Sequence, residues 1–129
     1  MNGYVFNRTR QAFLVSKLRV ADTHWKRLCG LIGQGAATFR SGAGLWIVPS
    51  HGVHTLFMRI PIDVVYLDDE RTVVHIEENV APWRLAPMLT QAVSVLELPA
   101  HTVYDTGTRV GDTLEIIHEP MTASTAVAS

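Results

Sequence analysis

His51 and His54 stand three residues apart in the run SHGVHT, and Asp63, Glu97 and His101 follow downstream. Imidazoles and carboxylates are the ligands that hold zinc and similar ions, so three of them meeting at one point would make a metal site. A strand sends residues three apart to opposite faces, and the two rings converge only if Gly52 bends the chain. The plainer role for His54 is a neutral ring at the start of a strand, held by a backbone carbonyl or by Asp63. No metal ligand is assigned.

Arg59 and Asp63 flank Ile60, Pro61 and Ile62. Proline fixes its backbone angle and lacks an N–H, so the segment is expected to kink and the two charges to pair across the kink. Such a clasp, partly buried, contributes specificity more reliably than stability, because desolvating both ions offsets their attraction. The same residues also read as a polar pocket, with Arg59 presenting a planar fork to a carboxylate or phosphate and His54 and Asp63 adjusting protons. Glu97 lies between Leu96 and Leu98, and is expected either on a sheet rim or buried with a partner such as an arginine. Trp83 and Arg84, bounded by Pro82 and Pro87, offer an indole face for stacking or, more plainly, a cover for one end of the core.

Other chemistry-bearing residues lead to structural roles. Cys29 sits on an apolar stripe beside Leu28 and Ile32, where a small buried hydrophobe is expected and a nucleophile is not. The run GLIGQGA at 30–36 follows an expected helix and lacks the Gly-Lys-Ser/Thr ending of a phosphate loop. Gly111 and Asp112 predict a turn into the last strand. The familiar serine-nucleophile, zinc and dithiol motifs do not occur.

The elements that must position these groups are mostly short strands. Apolar runs predict strands at 12–15, 45–48, 53–58, 62–67, 72–76 and 92–99 and a closing strand within 109–117, with Asp68 to Arg71 as a hairpin turn. The 92–99 run is apolar on both faces, as a strand covered on two sides would be. One helix is expected near 22–32, where Trp25, Leu28, Cys29 and Ile32 repeat at helical spacing, Asp22 or Thr23 can cap it and Gly33 can end it. Residues 33–44 are Gly-rich and read as a loop, and the proline-bounded segment 79–87 as a crossing loop. The fold class is therefore mostly β: one antiparallel β-sandwich or barrel domain over 1–118, with a disordered tail at 119–129.

Composition bounds the function. The 129 residues suit one core, and 47% apolar with 18% charged residues is ordinary for a globular chain. A formal charge of -1 gives no basic field for nucleic acid or anionic lipid. A lone cysteine, no expected signal peptide and no run of about 20 apolar residues point to the cytoplasm and away from a membrane.

The run H-T-x-x-M-R-x-P-I-D-V-V-x-L-D, from His54 to Asp68, resembles the signature of the domain of unknown function 192 family. Arg27, Gly30 and Leu31 upstream, and VLELP at 95–99 with Gly111-Asp112 downstream, resemble its flanking motifs, so the likeness runs from about residue 10 to residue 118. His101 departs from the pattern, which has glycine there for a tight turn. The resemblance implies a compact, mostly antiparallel β fold with one short helix and no established reaction. We therefore expect a noncatalytic module for an unknown small ligand or protein partner, a monomer or weak homodimer, with no cofactor and no catalytic residue assigned. Its ligand contacts are expected at His54, Thr55, Met58, Arg59, Asp63, Glu97 and Trp83. The alternative is a metal-assisted or acid/base hydrolase using the His54, Arg59 and Asp63 cluster.

Overall fold

A computed structural model describes residues 3–21, 40–52, 60–82, 84 and 86–118, with Ala21 described by its backbone alone. The expected helix near 22–32, the expected strand at 53–58 and the expected tail at 119–129 lie outside these residues, as does Cys29.

Among the described residues, eight strands form two sheets and one short helix joins them. The smaller sheet holds β1 (Gly3–Asn7), β2 (Ala12–Val15) and β8 (Leu114–His118) in the order β2-β1-β8. The larger holds β3 (Lys17–Ala21), β4 (Ala43–Ile47), β5 (Ile62–Leu67), β6 (Val73–Val80) and β7 (Ser94–Pro99) in the order β3-β4-β7-β5-β6. All pairings are antiparallel except β3 with β4. The chain is thus mostly β and sandwich-like, and among the described residues the sheets do not close into a barrel.

One apolar cluster lies between the sheets, built from Val5, Leu14, Val15, Leu114 and Ile116 of the smaller and Trp46, Val65, Leu67, Leu96 and Leu98 of the larger. A second covers the outer face of the larger sheet, where Leu45, Ile47, Ile62, Val64, Tyr66 and Val95 pack with Ala86 of the crossing loop and Ala92 just before β7. Both clusters draw on alternate residues of β5 and β7, so these strands are covered on both faces, as the 92–99 run predicts. At Gly44 the sheets approach so closely that a Cβ would stand 2.5 Å from the Val15 side chain.

Turn chemistry fixes the ends. Asp68 Oδ1 accepts the N–H groups of Glu70 and Thr72, and the Asp68 carbonyl accepts that of Arg71, closing the β5–β6 hairpin where the sequence places it. The described helix, α1 (Thr102–Thr106), is one the sequence pattern does not predict. His101 precedes it with φ 78, the left-handed conformation for which the resemblance leads one to expect glycine.

Candidate functional site

Asp63 begins from a bulge. Opposite it the register of β6 slips between the partners of Ile62 and Val64, and Asn79 turns to φ 53, which frees its N–H. Asp63, fully buried, accepts that N–H on Oδ1 at 2.8 Å and the Val103 N–H of α1 on Oδ2 at 2.9 Å. Both carboxylate oxygens therefore serve the backbone, and one side chain ties the end of β6 to the start of α1. Arg59, the partner expected from sequence, lies outside the described residues.

Glu97 belongs to the opposite face. Across β7 and β5 it is paired with Val64, while Asp63 is paired with Leu98. Directly paired residues share a face and neighbours in sequence do not. Asp63 therefore faces the inter-sheet side with Leu98, and Glu97 the outer side with Val64 and Leu45. The sheet stands between the two carboxylates, so they cannot act on one reacting group.

The outer face around Glu97 is polar in a way the sequence reading missed. Glu97, 2% exposed, lies in a cross-strand row with Leu45, Val64 and Glu77, and the next row runs Ile47, Val95, Tyr66 and His75. The Tyr66 hydroxyl donates to the Pro87 carbonyl at 2.7 Å, and its ring meets His75 edge-on at 5.1 Å. His75 Nε2 lies 2.5 Å from Glu77 Oε2. Burial, and after it the negative charge of Glu77, pushes the Tyr66 hydroxyl well above its ordinary pKa, so it remains a donor. The signal was present in sequence: His75 and Glu77 stand two apart on a strand and so share a face.

His51 approaches this face from one end. Its Nδ1 lies 2.7 Å from the Ala92 carbonyl, which can only accept, so Nδ1 donates. Leu89 donates its N–H to the His51 carbonyl, and Ser50 donates its own to Val93, binding the loop at 50–52 to the crossing loop. At Gly52 a Cβ would stand 2.5 Å from the Pro87 carbonyl. Ile60 packs against the outer apolar cluster from the other side. Of the expected contacts, His54, Thr55, Met58, Arg59 and Trp83 lie outside the described residues, and no group of three metal-ligating side chains occurs among the described ones.

Two further features belong to the scaffold. Asp112 Oδ2 accepts from Asn7 Nδ2, Arg10 Nε and the Arg109 N–H, each at 2.9 Å, in the turn after Val110. Burial raises the Asp112 carboxyl, but these donors and the charge of Arg10 outweigh it and hold the group below the usual carboxylate range. A shallow cleft runs between β2 and α1, with Phe13, Ser16, Ser41, Thr102 and Asp105 on its walls.

The family model described as DUF192, "Uncharacterized ACR", matches residues 5–116. A UPF0127 protein of Thermococcus sibiricus is 28% identical over 116 residues, 86% of this chain and 73% of its own. Another, of Pyrococcus abyssi, is 29% identical over 120 residues, 89% of this chain and 98% of its own. A solved protein of unknown function from Novosphingobium aromaticivorans superposes with TM-score 0.72 at 20% identity, over 89% of this chain and 84% of its own. One from Sinorhizobium meliloti, described as a candidate transcription regulator, gives 0.73 at 22%, over 90% and 94%. At these identities the two structures show a shared fold and nothing about activity.

Proposed function

We propose that this chain, which belongs to the DUF192 family of uncharacterised proteins, is a noncatalytic module that holds a small ligand or a partner's peptide segment on the outer face of its larger sheet. The observation that carries the proposal is Glu97, a carboxylate 2% exposed between Leu45 and Val64. A buried ionisable group on a rigid sheet marks a candidate site. Glu97, Glu77 and His75 form the described floor, and the loop carrying His51 stands beside the crossing loop. In this proposal His54, Thr55, Met58, Arg59 and Trp83 are kept as further ligand contacts. The acidic floor favours a ligand that presents N–H donors, such as an amine, an amidine or a peptide backbone.

Asp63 is assigned a positioning role, with its two backbone bonds in support. That argues against the hydrolase alternative, which needs the same carboxylate to handle a substrate proton. A net charge of -1 supports partners other than nucleic acid or membrane, and we place the chain in the cytoplasm as a monomer or weak homodimer, which light scattering would measure. Among the described residues no helix is long and apolar enough to cross a membrane.

A thermal-shift screen of amines, amino acids and short peptides tests the proposal, since a ligand that binds only the folded state raises its melting temperature. The expected result is a stabilising compound whose effect falls away in Glu97→Gln. A stoichiometric metal that disappears in His54→Ala would instead establish the metal-assisted alternative.

A further inference from the structure

On the inter-sheet side, across the sheet from Glu97, three nitrogen-bearing side chains meet at one corner. Trp46 of β4 is 5% exposed, and its indole Nε1 is buried with no acceptor among the described residues. The Arg71 guanidinium lies over the indole, 4.7 Å from the ring centre, and the His118 ring is tilted against it at 5.6 Å. Arg71 also donates to the Ile116 carbonyl at 3.3 Å, but meets no carboxylate within ion-pair distance among the described residues. The acids of its own turn are engaged or exposed: Asp68 accepts backbone N–H groups, and Asp69 and Glu70 stand in solvent. Glu115 pairs with Phe6 across β1 and β8 and forms its ion contact with Arg8.

Among the described residues, the Trp46 N–H and the Arg71 guanidinium thus meet at this corner with no carboxylate beside them. A buried N–H without an acceptor is destabilising, so a structure that keeps one beside a guanidinium is suited to a group that accepts from both. We propose that Trp46 and Arg71, with the His118 ring beside them, form a binding site for a carboxylate. A planar monoanion fits the guanidinium fork and loses less hydration against the indole wall than a phosphate dianion would.

The test uses the full chain with 15N-labelled tryptophan, the Trp46 indole resonance being identified by its loss in Trp46→Phe. Sodium acetate is titrated against sodium chloride at equal ionic strength, with sodium phosphate as a separate arm. A saturable shift of the Trp46 resonance with acetate is expected, its affinity about tenfold weaker in Arg71→Gln and partly kept in Arg71→Lys, which retains the charge without the fork. A response no different from chloride would overturn the proposal, as would a saturable one unchanged in both Arg71 variants. Saturation by phosphate alone would overturn the choice of carboxylate. If acetate has no effect and Glu119→Gln moves the resonance, the acceptor is the chain's own next residue and no ligand site exists.

Discussion

Two buried aspartates on the scaffold are fixed by backbone and side-chain donors, and each makes a separate demand on stability. Asp112 collects three donors on one oxygen at a position 2% exposed. Replacing it by Asn turns an acceptor into a group that faces those donors, and should lower the unfolding free energy by about 2 to 4 kcal/mol in urea titrations. Because its folded pKa is depressed, this stabilisation is fully present above the unfolded value of about 4 and is lost as pH falls towards the folded one. Wild type and Asp112→Asn should therefore differ in melting temperature at pH 7 and converge in acid. Asp63→Asn should cost about 1 to 4 kcal/mol, since one of two buried N–H groups then meets a donor. Hydrogen exchange should quicken selectively at the Asn79 and Val103 amides, and equal exchange in both proteins would show that the carboxylate does not hold them.

At the level of elements, α1 shows what a carboxylate and a turn can impose on an unpromising sequence. The helix is TVYDT, whose β-branched residues favour a strand, and no side-chain cap starts it. It forms because Asp63 accepts its second amide and because His101 accepts a left-handed conformation. His101→Gly should stabilise the protein by about 0.5 to 1 kcal/mol, the relief of φ 78 exceeding the entropy lost by glycine, and urea unfolding would measure it. Strands with clear apolar runs were legible: β2, β5 and β7 stand where predicted within a residue or two, and β6 extends to Val80 beyond the expected 76. β1 and β3 were not, because GYVFN is short with Gly and Asn at its ends and KLRVA alternates charge with apolar residues at a sheet edge. The positive φ at His101 was legible from the missing glycine alone. The separation of Asp63 from Glu97 was not, since it depends on how β5 and β7 align, and a run of letters carries no register between distant strands.

Taken as a whole, the molecule has one core between its sheets and a second on the outer face of the larger, which leaves two chemically different exposures of one sheet. The inner side carries Asp63 in a backbone-bonded role and, at its far corner, Trp46 beneath Arg71 and His118. The outer side carries Glu97, Glu77, His75 and Tyr66 beneath the crossing loop. If ligand binds outside and Asp63 only positions, the two carboxylates must separate in one experiment. Calorimetric titration of a stabilising amine or peptide into wild type, Glu97→Gln and Asp63→Asn, each below its melting temperature, provides it. Binding should be lost in Glu97→Gln and retained in Asp63→Asn; binding that survives Glu97→Gln and vanishes in a folded Asp63→Asn would contradict the outer-face site.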